Sequence, residues 1–425
     1  MKLIVAILLV AATSAYGSTR VVNNSGSNTS SPCNTAHYAT IGAAITAANP
    51  GDTIEVCPGT YPEAVLIDKA NLKLTGLNID GSSLIELLPS TGLSIADPNP
   101  GGSPTENTIL AVDSVSGVVI TNISVNGSQA TTVGTNGCSI GNAGIYFLNA
   151  SGSIVNSAVS YIGLNTDGSL TGCQEGIGVF IESYGGTASV TMTGNSIHDF
   201  DKNGITADGS AASLVAKNNA VTGAGPTSLI AQNGIQVSDG AKGTVNSNVV
   251  SSVDYTSSTS AGTGILFYLA ADDGQANDNV VNESNNGVYF QGSNRNQAGG
   301  NSISKTFNYD AVVVYQSDFD VIENNIISRA GLEVPDQEGI YVCGSKNTIV
   351  NNTINEAPIG IQIDETSGDG CSGARGNITF GNRFYSVGIN LQTLTNSGPL
   401  GGADTKARTL TTPRQHGLPK VSPSK

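Results

Sequence analysis

The chain has 425 residues, of which only 12% are charged. It carries 53 glycines, no tryptophan and a formal net charge of −15. An acidic surface of this kind excludes charge-driven binding to nucleic acid or to an anionic membrane. Short runs of Val and Ile throughout exclude a disordered chain, and the scarcity of helix formers points to many short strands joined by polar turns.

The N-terminus, "MKLIVAILLVAATSAYGS", has a basic n-region at Lys2, an apolar run from Leu3 to Ala12 and small residues after it. It reads as a signal peptide over residues 1–17, which predicts a secreted or periplasmic protein. The apolar run is too short to span a bilayer, and no other segment is a transmembrane candidate. Residues 18–32 read as a flexible linker.

Export permits disulfides, and the cysteine count is even. Pairing neighbours along the chain gives Cys33–Cys57, Cys138–Cys173 and Cys343–Cys371 out of fifteen connectivities, each bridge adding roughly 3 kcal/mol. The absence of CxxC or Cys/His spacing argues against a zinc site.

"HYATIGAAITAANPGDTIEV" opens with a short amphipathic helix in which Ile41, Ala44, Ile45 and Ala48 share one face. Asn49-Pro50-Gly51-Asp52 stops it, and the strands "TIEV", "VLI" and "LKL" follow. A helix laid over the first coil would cover an open sheet edge.

A phrase of Gly, a β-branched residue and then alternation recurs from Gly144 to Gly388, at spacings of 32, 28, 30, 30, 23, 24, 28, 21 and 28 residues. An Asn phrase followed by Ile or Val interleaves with it, at Asn156, Asn195, Asn219, Asn248 and onward to Asn382. Near-copies at this period are the signature of a solenoid. With period-two alternation and no helix between them, they give an all-β, single-domain parallel β-helix of about ten or more coils. The asparagines suit bends with left-handed dihedrals, and their amides can stack from coil to coil.

"TIGAAITAANPGDTIEVCPGTYPE", together with these two phrases, resembles the first turn and coil repeats of right-handed parallel β-helix proteins of the pectin-lyase-like superfamily. The resemblance spans about Cys33 to Leu394. It implies a right-handed coil over residues 33–395 with a capping helix. It does not imply one activity, because the fold hosts lyases, hydrolases, esterases, epimerases and non-catalytic proteins. Pectin methylesterase signatures are missing. The Asn165–Gly168 and Asp272-Asp273 echoes of polygalacturonases lie several coils apart.

"HDFDKNGITADGS", His198 to Ser210, concentrates charge in a chain that has little. For β-elimination or epimerisation it could supply Lys202 or His198 as base, with Asp208 beside them. Asp199 and Asp201 are candidate ligands for Ca2+, the one cofactor considered. The competing reading is a solvated turn between two strands. On the Gly-Ile strands, Tyr268, Tyr289, Tyr315 and Tyr341 project outward from successive coils, and Glu182 and Gln291 share their face. Such a face can stack on and hydrogen-bond to a polysaccharide, unless loops cover it. Residues 396–425 carry Lys406, Arg408, Arg414, Lys420 and Lys425 with no acidic residue after Asp404, and read as a disordered basic tail. The expectation is a monomeric, carbohydrate-active β-helix protein that binds, and in one reading cleaves or epimerises, a polysaccharide. The alternative is a non-catalytic surface, structural or adhesive rod.

Overall fold

A computed structural model describes residues 17–24, 29–99, 105–130, 138, 141–257, 260–331, 337–366, 371, 374–395 and 398–401. The predicted signal segment, up to residue 16, and the tail from 402 onward lie outside the described residues. Each coil contributes one strand to each of three sheets, here called A, B and C in chain order around a coil. The sheets contain 13, 12 and 14 strands, and nearly all neighbours pair in parallel. The fold is thus the parallel β-helix that the repeats predict. Among the described residues no helix is long and apolar enough to cross a membrane.

The Gly-Ile phrase lies on sheet C. Its β-branched position stacks inward, Ile145 on Val179, Ile205, Ile235, Ile265, Val288, Val312, Ile340 and Ile361, inside one core that runs from Val22 to Ile363. The glycine before it sits at a corner where sheet C closes on sheet B. A Cβ on Gly204 would lie 2.4 Å from Val221 Cγ1 and 2.6 Å from the Gly234 carbonyl oxygen, so this position has room for hydrogen only.

The Asn phrase lies at the turn from sheet A to sheet B. Asn195, Asn219, Asn248, Asn279, Asn301, Asn325, Asn352 and Asn382 form an unbroken ladder, each side-chain amide donating to the next Oδ1 at 2.8–3.1 Å. The left-handed dihedral is held by the residue before each ladder asparagine, including Asn218, Ser247, Asp278, Asn324 and Asn351. Two adjacent positions therefore divide the tasks that the sequence assigns to one. A second, shorter ladder of Asn296, Asp320, Asn347 and Asn377 lies at the turn from sheet C to sheet A.

The helix Ile41–Thr46 buries Ile41, Ala44 and Ile45, and Thr40 Oγ1 caps it by accepting from the Ala43 amide. Glu63 accepts from the Ile41 and Gly42 amides, closing the cap onto the first coil. The expected linker is corrected here. Thr19–Val22 is already a strand of sheet A, paired in register with Thr53–Val56 and held by the Arg20–Asp52 ion pair at 3.0 Å. Its alternation is too short to stand out in a Ser/Asn-rich segment. All three neighbour-paired disulfides are present.

Candidate functional site on the outer face of sheet C

The strand 203–208 turns Ile205 and Ala207 into the core and presents Thr206 and Asp208 outward, as its alternation predicts. The rest of "HDFDKN" does not join Asp208. Ser196–Phe200 is itself a strand of sheet B, not a loop. His198 stands on the outer face of sheet B between Ser160 and Thr222, and its Nδ1 lies 2.7 Å from Asp199. Lys202 is fully buried at the corner between sheets B and C, where its ammonium donates to the Ala231 carbonyl at 2.7 Å. Burial pushes that ammonium down to about 8. The triad of Lys202, His198 and Asp208 is therefore dispersed over two sheets and a corner.

The calcium reading fails for a related reason. Asp199 pairs with His198, whereas Asp201 is enclosed by the Thr171, Gly172 and Cys173 amides and the Thr171 hydroxyl. Asp201 is fastened to the 163–176 connection and does not share a site with Asp199. Among the described residues no three His, Cys, Asp or Glu side chains gather as a metal site.

The outer columns of sheet C are covered at both ends. At the N-terminal end, Leu93–Ala96 pairs antiparallel to Thr105–Asp113, and Ile95 packs on a satellite cluster with Tyr146, Ile177 and Phe180. Tyr146 donates to Glu182 at 2.5 Å, and the Asn99 amide reaches the other oxygen of Glu182 at 3.3 Å. Glu182 is 1% exposed, and burial holds its carboxyl up to about 7. At the C-terminal end, Cys371, tied to Cys343, lies over Tyr341, whose hydroxyl donates to Asp364 at 3.1 Å. Tyr289 and Tyr341 are 1% and 0% exposed, which corrects the expectation that all four tyrosines form an open row. Coverage by residues distant in the chain cannot be read from local alternation.

One outward column runs from cover to cover and is open to solvent only at its middle rungs, Tyr268, Gln291 and Tyr315. Glu182, Asp208, Ser238, Tyr268, Gln291, Tyr315 and Cys343 occupy successive rungs, about 4.8 Å apart. Tyr268, Gln291 and Tyr315 are half-buried and adjacent. Asp208 accepts from Ser238 Oγ at 2.6 Å and also hydrogen-bonds Asp239, which is exposed at the following turn with a left-handed φ of 51°. Two neighbouring carboxyls disfavour ionising together. Both titrate upward, burial being the largest cause, and the more deeply buried Asp208 is the natural proton carrier. Sequence reading missed Asp239, although it follows directly on the phrase "GIQVS". A separate cleft of about 390 Å³, lined by Asn126–Ala130, Tyr161 and Leu164–Gly168, offers Asp167 as its sole carboxylate and no acid–base pair.

A stack of coils whose strands pair in three parallel sheets defines a β-solenoid. The chain belongs to the right-handed β-helix family: the model described as "Right handed beta helix region" matches residues 109–303 and 227–384, more than half of the sequence. A comparison with curated proteins returns no match. Among solved structures, the chain is similar to the GH136 lacto-N-biosidase from Eubacterium ramulus in its selenomethionine form. That likeness has 11% identity and a TM-score of 0.52, covering 87% of this chain and 68% of the other. The native form of that enzyme gives 10% identity and a TM-score of 0.50, with 86% and 68% covered. DFA-IIIase from Arthrobacter chlorophenolicus A6 without its lid gives 14% identity and a TM-score of 0.43, with 82% of each chain covered. At these identities the likeness is one of fold.

Proposed function

We propose that the protein is an exported carbohydrate-active β-helix protein that hydrolyses a glycosidic bond on the outer face of sheet C. One observation carries this reading: the Asp208–Asp239 dyad, with Asp239 exposed, stands two rungs from the half-exposed Tyr268, Gln291 and Tyr315 on the same outward column. Tyrosines half-exposed in a row supply stacking faces for sugar rings, and an amide between them supplies polar recognition. The dyad supplies a general acid. Asp208 gives its proton to the glycosidic oxygen as the anomeric C–O bond breaks. Two carboxyls in contact stand too close to flank the bond as acid and base. Asp239 therefore serves to hold the proton on Asp208, the water that attacks the anomeric carbon gives its proton to solvent, and Asp208 is reprotonated from solvent.

The structure gives no support to β-elimination, because Lys202 and His198 face neither Asp208 nor the tyrosines. Three disulfides are consistent with work in an oxidising compartment. Burial of Glu182 beneath Asn99 favours a second reading, a binding rod without turnover, since this third carboxyl is withdrawn from the face.

The test is an oligosaccharide panel assayed in parallel for new reducing ends and for the unsaturated product of a lyase. Reducing ends without unsaturation, lost on Asp208→Asn and on Asp239→Asn, are the expected result. Unsaturated product, or turnover indifferent to both substitutions, would overturn the hydrolytic assignment. Binding that Tyr315→Ala weakens, with no product of either kind, would leave the binding rod.

A further inference from the structure

A continuous chain of side-chain hydrogen bonds ends on Asp208. It occupies the strand Asn203–Asp208 and the next rung, Asn233–Ser238, which pair as Asn203 with Asn233, Thr206 with Gln236 and Asp208 with Ser238. Asn203 Nδ2 donates to Thr206 Oγ1 at 2.9 Å and to Gln236 Oε1 at 3.1 Å. Asn233 Nδ2 donates to Asn203 Oδ1 at 3.2 Å and to the same Gln236 Oε1 at 2.9 Å. Gln236 Nε2 donates to Ser238 Oγ at 3.1 Å, and Ser238 Oγ donates to Asp208 Oδ1 at 2.6 Å. Asn203, Thr206, Asn233, Gln236 and Ser238 are all buried.

The chain has one sense in this structure. Two donors on Gln236 Oε1 mark that end of the amide as the acceptor, so Nε2 is the end that meets Ser238. Ser238 Oγ receives that hydrogen and directs its own to Asp208 Oδ1. With Oδ1 engaged as an acceptor, a proton on the Asp208 carboxyl sits on Oδ2. The reverse sense, with Asp208 donating to Ser238, requires the amides of Asn203, Asn233 and Gln236 to turn over together. Packing does not call for Gln236, because the same register holds Leu266 on the rung after it and Phe180 two rungs before it. These apolar flanks place the chain in surroundings of low polarity, where each link polarises the next.

We infer that Gln236 and Ser238 are positioning residues for Asp208: through them the buried chain holds Oδ1 as an acceptor and makes Oδ2 the oxygen that delivers the proton to the glycosidic oxygen. The inference rests on the reading above of Asp208 as the acid. Neither residue has to touch the substrate. As the anomeric C–O bond breaks, the proton leaves Oδ2 for the glycosidic oxygen and Asp208 becomes a carboxylate. The Ser238 hydrogen bond to Oδ1 then becomes charge-assisted and strengthens, so it favours the release. The titratable groups around Asp208 are Asp239 at the following turn, Glu182 one rung before, Tyr268 two rungs after and Asp97 beside the cover. The three acids oppose a new negative charge on Asp208 and keep the proton in place until it is transferred.

Carbon NMR of the Asp208 carboxyl in the full chain tests the inference without any ligand, the signal being assigned by its loss in Asp208→Asn. Ser238→Ala should raise the pH at which Asp208 titrates by about one. Gln236→Leu, which leaves the Ser238 hydroxyl free to turn, should raise it by less, and Ser238→Thr, which keeps the hydroxyl, should leave it near the parent value. A lowered value in Ser238→Ala would show that Asp208 donates to Ser238, and an unchanged one that the chain does not act on Asp208. Either overturns the inference. If Ser238→Ala does not fold, Gln236→Leu decides by the same sign. On any oligosaccharide of the panel that the parent hydrolyses, the alkaline limb of kcat/KM should move up with the NMR value. A raised NMR value with an unmoved limb would keep the chain and remove Asp208 as the acid, so the two readings fail separately.

Discussion

Asp320 offers a sharp test of how the coils are held together. It occupies a rung that Asn296 and Asn347 fill on either side, it is 0% exposed, and it accepts from Ser317 Oγ at 2.5 Å and from the amide and side chain of Asn296. Burial pushes its carboxyl up to about 7 from 3.8, despite those donors. A carboxyl whose folded value lies above its unfolded value stabilises the fold fully only below the unfolded value. That contribution is lost as pH rises toward the folded one. At about 1.4 kcal/mol per unit, the full loss is a little over ~4 kcal/mol, and the part falling between pH 5 and pH 8 is about 2 to 3 kcal/mol. Asp320→Asn removes the titration and keeps the acceptor. Its new amide can reach the Ser293 carbonyl, just as Asn347 reaches that of Ser317. The variant should melt higher than the parent at pH 8, by several degrees, and by clearly less at pH 5. Thermal unfolding by circular dichroism at both pH values reads this directly. A variant destabilised equally at the two values would show that the carboxylate is bound as an anion, and the reasoning would fail.

Other perturbations probe the rest of the scaffold. Asn248→Ala breaks the longer ladder in mid-run and strands groups on both adjacent coils, so it should cost about 2 to 4 kcal/mol, read as a lowered denaturant midpoint. Gly204→Ala forces a methyl group into the Val221 side chain and a backbone carbonyl, and should cost about 1 to 3 kcal/mol or more, with a matching fall in melting temperature. Lys202→Met removes a buried ammonium held near 8, below its unfolded value. A base depressed in this way destabilises the fold increasingly as pH falls below the unfolded value, so the variant's stability relative to the parent should be higher at pH 6 than at pH 10. Whatever turnover or binding the parent shows should survive that substitution, and its loss would return Lys202 to the site.

The repeat was legible because its causes are local. Gly204 and its counterparts are fixed by the approach of sheet B, Ile205 and its counterparts by the core, and the ladder asparagines by the coil above. The site was legible only in part. Asp208, Tyr268, Gln291 and Tyr315 could be assigned outward by alternation alone. The covers could not, because Ile95 and Cys371 reach the face from far along the chain. The charged stretch misled for a specific reason. Asp199 adopts a left-handed φ of 53°, which breaks the alternation after Ile197 and sends Phe200 inward. A strand followed by a buried corner then looks, by composition, like an exposed loop, and Asp201 and Lys202 acquire a prominence that their burial removes. The second ladder was also present in outline, in "SNRN" and "SDFD", but an aspartate in an asparagine register reads as surface charge until its burial is known.

The two covers sit on opposite ends of sheet C, and the coils between them touch only their immediate neighbours. The coil from 263 to 286 is joined to its neighbours by the same register above and below. Duplicating or deleting such a coil would lengthen or shorten the open part of the outward column by one rung without altering either end. The reach of the face along a polymer is therefore a quantity that descent can change in whole steps, independently of the dyad that would act on it.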